Sequence, residues 1–185
     1  MSNYHSFGAM KFVPDLPSFE TFKQILYSHP KINEPDSHLK HYLDLLLPQV
    51  DKEVFSLEKP YTQLNFPHEG GVTGYFSTNM TELDLKLVKD VLLREKVDIL
   101  NTREFKHDNG DITITVGSIE HSSRKVTHSD RNFEIKYGEF GSYLEDIVYY
   151  LERALLYVAN DNQKQMIQFY IDHYRTGNIE THKDS

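Results

Sequence analysis

Cysteine and tryptophan are absent from the 185 residues, and basic charge is scarce: 20 Lys and Arg stand against 28 Asp and Glu, a formal net charge of −8. Without cysteine there is no disulfide framework, no thiolate nucleophile and no thiolate-held zinc or cluster, and nothing points to an oxidising compartment. The shortage of cations argues against a nucleic-acid backbone or an anionic membrane as the main partner, while a ligand bearing a cationic group would be welcomed. No apolar run approaches the roughly 20 residues of a membrane helix, and the opening MSNYHSFGAMKF has no basic-then-apolar leader. The expectation is a cytoplasmic chain that binds neither nucleic acid nor membrane.

Several catalytic sets are missing too. A zinc-peptidase helix places two histidines one turn apart with a Glu beside the first, so that both rings reach one metal while the carboxylate polarises its water. Ten histidines are present, but none has that spacing. His68-Glu69 runs into Gly70 and Gly71, which is loop composition. His38 and His41 share a helical face without a third ligand, and His121 and His128 could meet only across two strands. No Gly-x-Ser-x-Gly elbow occurs, and Gly70, Gly71 and Gly74 lack the Lys of a phosphate loop.

Aromatic rings, by contrast, are plentiful, with 12 Tyr and 11 Phe, and 38% of the chain is hydrophobic against 26% charged. That is a globular composition, long enough for a sizeable core, most simply one domain with two small lobes as the alternative. Phe19, Phe22, Ile25 and Leu26 repeat at steps of three and four after Pro17-Ser18, predicting a helix. A second begins at Asp36 or Ser37, with Leu39, Leu43, Leu46, Leu47 and Val50 inward and a kink or a division at Pro48. A third follows the cap Thr81 with Asp84, or Asn79 with Glu82, and buries Leu83, Leu87, Val88, Val91 and Leu92. On it Glu82, Asp84 and Asp90 are assigned to the solvated face.

Residues 102–107 and 112–116 flank Asn109-Gly110, a hairpin signal because both positions tolerate positive φ. Phe133, Ile135 and Tyr137 alternate with charged residues, predicting another strand, while residues 118–131 are polar and carry little signal. Gly141-Ser142 with Glu145 fits a capping box opening a helix with Leu144, Ile147, Val148, Leu151, Ala154, Leu155 and Val158 inward. A last helix carries Met166, Ile167, Tyr170, Ile171 and Tyr174 and ends at Gly177. The predicted fold class is α+β, helix-rich with a small antiparallel sheet. Residues 1–185 form a single unit: helical over 15–57, helix- and β-rich over 71–137, and helical over 142–176.

Two stretches carry more polar and aromatic detail than a core needs. In GVTGYFSTNMTELD, residues 71–84, two glycines and a Thr lead to Tyr75 and Phe76. Ser77, Thr78 and Asn79 then precede a helix N-terminus, where free N–H groups attract anions. In residues 157–185, Asn160, Asn162 and Gln163 form an amide cluster at a helix break. Amides suit an extended peptide backbone because each offers donor and acceptor. Capping is the alternative role for these amides, and a core ring with a bonded hydroxyl the alternative for Tyr75.

The blocks NYHSFGAMKFVP (3–14), GYFSTNMTELD (74–84), NTREFK (101–106) and ANDNQKQMIQFYIDHYRTGNIETHKDS (159–185) resemble, in order and spacing, the dipeptidyl peptidase III family of zinc aminopeptidases. The resemblance is loosest over 32–69 and 118–131. It implies a cytosolic two-lobed enzyme that removes dipeptides from the free N-terminus of short peptides, the peptide lying in the cleft as an added strand. It also implies that this chain is an internal piece of the substrate-binding lobe. The family's zinc is held by a His-Glu-x-x-Gly-His helix and a Glu-Glu-x-x-Ala-Glu helix, and the chain contains neither. No zinc is therefore expected on this chain, no catalytic residue can be named, and catalysis by it alone is not expected. Carried over by the resemblance, Tyr75 contacts bound peptide and supports its scissile carbonyl, Asn160 holds the peptide's N-terminal portion, and Gln163 offers a second amide contact. The expected partners are short peptides with a free N-terminus and the missing catalytic half of the enzyme. A non-catalytic peptide-binding or interaction protein derived from the family is the alternative.

Overall fold

A computed structural model describes residues 11, 13–15, 18–34 and 38–183. The chain divides into two compact units, Met1–Thr73 and Gly74–Ser185, where the composition suggested one unit with two lobes as the alternative. The block at residues 3–14 and the start of the second helix at Asp36 or Ser37 fall largely outside the described residues.

In the first unit, α1 (Phe19–Tyr27) is capped by Ser18, whose Oγ accepts from Thr21 N–H at 3.2 Å. Phe19 and Phe22 pack on Phe55 with ring centroids 5.4 and 5.5 Å apart. Ile25, expected inward, is exposed, as are Leu39 and Leu46 of α2 (His38–Val50), leaving Leu47 as that helix's buried residue. Pro48 neither divides α2 nor ends it. The helix runs on to Val50 and gives way to a π-helical turn at Asp51–Phe55.

The second unit holds the main core. The capping box at Thr81 and Asp84 starts α3 (Glu82–Glu95). Four strands follow, β1 (Thr102–Lys106), β2 (Ile112–Gly117), β3 (Ser122–His128) and β4 (Arg131–Glu139), in the spatial order β1-β2-β4-β3. The Asn109-Gly110 hairpin forms as its sequence predicts, with Gly110 at φ +88° and Thr102 opposite Val116. Thus the α+β class holds.

The sheet, however, is mixed. β2 and β4 are parallel, with Ile114 opposite Ile135, whereas β3 and β4 are antiparallel. The reason lies in composition. β4 alternates Phe133 and Ile135 into the core and so takes the central place, and the polar β3, SSRKVTH, is left on the edge. Ile112, Ile114, Val116, Phe133 and Ile135 meet Met80, Val88, Val91 and Leu92 in one cluster.

Beyond the sheet come α4 (Gly141–Ala154), α5 (Asp161–Thr176) and α6 (Ile179–Lys183). The capping box expected at Ser142 and Glu145 is not made. Phe140 occupies the cap position at φ +60°, so that Ser142 falls inside the first turn. The C-terminus of α5 is tied to the sheet: Ile119 N–H donates to Tyr174 O and Glu120 N–H to Arg175 O, both at 2.9 Å. Gly177, at φ +74°, closes α5 where an added Cβ would lie 2.9 Å from Gly117 O.

Candidate functional site

Residues 74–77 run along the outer edge of β1. Glu104 N–H donates to Tyr75 O at 2.7 Å, and Ser77 N–H donates to Glu104 O at 2.9 Å, a parallel bridge centred on Phe76. Side chains tighten the join. Arg103 Nε donates to Gly74 O at 2.7 Å, Lys106 N–H to Ser77 Oγ at 2.9 Å, and Asn79 Nδ2 to Lys106 O at 3.1 Å. Ser77 and Asn79 therefore fasten the segment to β1. At the helix end that suggested an anion site, Thr81 N–H and Oγ1 both donate to Asp84 Oδ2, at 2.8 and 2.6 Å, so the chain's own carboxylate takes the anion's place. Tyr75 itself is 61% exposed, which sets aside the core-ring role.

Asn160 and Gln163 come together at the start of α5. Asn160 Oδ1 accepts from Gln163 N–H at 2.9 Å, and Gln163 Oε1 accepts from Ala159 N–H at 2.8 Å. Both residues are exposed. Their oxygens are occupied by capping, and their NH2 groups have no partner among the described residues. Capping and ligand contact are thus compatible, because the two roles use different atoms.

Three features were not anticipated. Asp84, assigned to the solvated face, is fully buried: it accepts from Lys106 Nζ at 2.8 Å and is paired with Arg131 as well as Thr81. Burial would raise its carboxyl, but the bonds from Lys106, Thr81 and Arg131 outweigh that and hold it well below the usual aspartate range. Arg103 Nη1 reaches Glu139 Oε1 at 2.7 Å, and Thr115 Oγ1 reaches Oε2 at 2.8 Å. Glu104 is buried at 1% exposure, with Oε1 2.6 Å from Thr102 Oγ1 and no partner for Oε2 among the described residues. Burial pushes its carboxyl up to about 7, with Thr102 and Arg103 opposing the shift and Glu139 adding to it. Spacing could not reveal these, since Lys106 and Arg131 stand 22 and 47 residues from Asp84.

Of the candidate histidines, His121 and His128 do not face each other across two strands. His121 precedes β3 and His128 ends it. His68-Glu69 lies on a single 3₁₀ turn with His68 stacked on Phe66. Among the described residues no three His, Asp or Glu side chains converge as a zinc centre requires, and no helix is long and apolar enough to cross a membrane.

The second unit thus presents an exposed tyrosine on its sheet edge and, at the start of α5, an exposed amide pair. Residues 46–185 match the model of peptidase family M49, and the chain belongs to that family. It is similar to dipeptidyl peptidase 3 of Homo sapiens, 33% identical over 198 residues, and to dipeptidyl peptidase 3 of Dictyostelium discoideum, 31% identical over 187. The alignments take in 99% and 100% of this chain but 26% of each relative, so the chain spans about a quarter of their length.

Proposed function

We propose that this chain supplies part of the peptide-holding surface of an M49 dipeptidyl peptidase, contacting short peptides with a free N-terminus, and that the 185 residues do not cleave peptides by themselves. The match to the family over 46–185 carries the proposal, because it takes in Tyr75, Asn160 and Gln163 together. Tyr75 offers an exposed phenol on a sheet border, where an extended peptide can lie alongside. Asn160 and Gln163 offer NH2 groups to peptide carbonyls. The net charge of −8 suits a terminal ammonium. Zinc chemistry would belong to the family's two zinc helices, whose His-Glu-x-x-Gly-His and Glu-Glu-x-x-Ala-Glu strings do not occur in these 185 residues, and no three metal-ligating side chains converge among the described residues. A cytoplasmic location is part of the same proposal.

The test is calorimetric titration with a short peptide bearing a free N-terminus and with its acetylated form. Asn160→Ser keeps a side-chain cap while removing the NH2 group, so it separates binding from folding, and Asn160→Ala removes both. Binding to the free peptide, weakened about tenfold by acetylation and by Asn160→Ser, is expected, a loss on the order of 1.4 kcal/mol. Indifference to acetylation and to both substitutions would sink the peptide site. Zinc-dependent dipeptide release by the purified chain would overturn the claim of no catalysis.

A further inference from the structure

Glu104 is the residue whose backbone clamps the Tyr75 segment, and its side chain poses a proton problem. Thr102 Oγ1 lies 2.9 Å from Ile99 O and 2.6 Å from Glu104 Oε1. A hydroxyl has one proton, and a carbonyl oxygen can only accept. If Thr102 donates to Ile99, the 2.6 Å contact needs its proton from Glu104, giving a chain from Glu104 O–H to Thr102 and from Thr102 O–H to Ile99 O. An ionised Glu104 would instead take the single hydroxyl proton, break the bond to Ile99 and leave Oε2 an anionic oxygen with no donor at a 1% exposed site. Burying such a charge is costly, whereas a neutral acid leaves only an unpaired carbonyl oxygen.

Among the described residues the surroundings supply no rescue. Ile114 stands opposite on β2, and Val116 lies opposite Thr102. Lys106, two residues along the same face, is committed to Asp84 of α3. Glu139 of β4 opposes ionisation of Glu104, and Arg103, which favours it, is bound to Glu139.

We infer that Glu104 is a positioning residue for Tyr75, acting as a neutral acid, and that its ionisation loosens the β1 edge and releases the Tyr75 segment. The 2.7 and 2.9 Å bonds between Glu104 and residues 75 and 77 are the mechanical link, since a carboxylate driven toward water must carry β1 with it. Burial pushes this carboxyl up to about 7, which places the change near neutral pH. The sign follows. The closed form holds the proton to higher pH than the open form, so closure is complete in acid and lost as pH rises through the raised value. This inference deepens the peptide-site proposal and rests on it only for the role of Tyr75.

Amide hydrogen exchange at Ser77 and Glu104 tests it on the full chain between pH 5 and 8.5, expressed as protection factors. For wild type, protection should fall by about tenfold per pH unit up to roughly neutral pH and then level off. In Glu104→Gln, which keeps a donor toward Thr102 without a titrating proton, protection should stay flat. Should that variant fold poorly, the ¹³C shift of the Glu104 carboxyl in wild type decides alone: a protonated signal at pH 6 supports the inference and an ionised one overturns it. A Glu104→Gln profile that still falls with pH would overturn it as well. If the protection profile behaves as expected and no variant binds peptide, the peptide site fails while the role of Glu104 in holding the segment stands.

Discussion

Two buried carboxylates in one unit carry opposite pH dependences. Asp84 is held ionised by Lys106, Thr81 and Arg131, so its pKa is depressed on folding. Its stabilising contribution is present above the ordinary aspartate value near 4 and is lost as pH falls below it. Asp84→Ala removes the partner of two cations, neither fully exposed, and the capping box as well, and it should cost about 3–5 kcal/mol at pH 7. Urea denaturation should show that the deficit shrinks as pH falls from 5 to 3; a constant deficit would mean that Asp84 contributes packing alone. Glu104 runs the other way. Its raised value of about 7 means that stability is highest in acid and falls as pH climbs from roughly 4.5 to 7. Glu104→Gln should therefore gain on the order of 2–3 kcal/mol over wild type at pH 8 compared with pH 5, read from denaturation midpoints at the two pH values.

At the level of elements, the ends of α5 are the places to cut. Asn160→Ala deletes the N-cap and should cost about 1 kcal/mol, while Asn160→Ser should cost little. Gly177→Ala puts a side chain at φ +74° and within 2.9 Å of Gly117 O, in the joint where Asn101 Nδ2 bridges Gly117 O at 2.8 Å and Gly177 O at 3.1 Å. A loss of about 2 kcal/mol or more is expected, seen as a lower Tm. An unchanged Tm would mean that the joint yields freely. These elements were legible because their signals are local: Ser18 before α1, Thr81 with Asp84 before α3, Asn-Gly between β1 and β2, and Gly177 after α5 all act within a few residues. β3 was not legible, since SSRKVTH has no apolar alternation and is a strand only because β4 pairs with it. The parallel placing of β4 beside β2, the salt-bridged burial of Asp84 and the exposure of Ile25, Leu39 and Leu46 depend on partners distant in sequence. Of the candidate site, Tyr75 and the amide pair could be picked out by resemblance, whereas Glu104 could not, because nothing in Thr-Arg-Glu-Phe marks an inward carboxyl.

For the molecule as a whole, the two units are unequal. Of the thirteen buried apolar residues described, only Ile32 and Leu47 belong to Met1–Thr73, and the other eleven, Met80 to Ile171, belong to Gly74–Ser185. Stability scales with apolar area removed from water, so the second unit should fold without the first, and the first should be marginal by itself. The same unit nevertheless leaves Tyr143, Ile147 and Tyr150 exposed at steps of four and three along α4, with Tyr157 beyond them. A stripe of that kind is ordinary for a surface covered in a larger protein, and the chain spans about a quarter of its relatives. A chain beginning at Gly74 is expected to unfold in one cooperative transition by circular dichroism, and a chain of residues 1–73 to show none. The longer piece should self-associate as concentration rises in sedimentation experiments, and Tyr143→Ser with Tyr150→Ser should reduce that association without lowering its Tm. If residues 74–185 instead melt without cooperativity, the sheet and α3 need residues 1–73 to hold their core, and the peptide-binding and exchange tests must be read as properties of the whole chain.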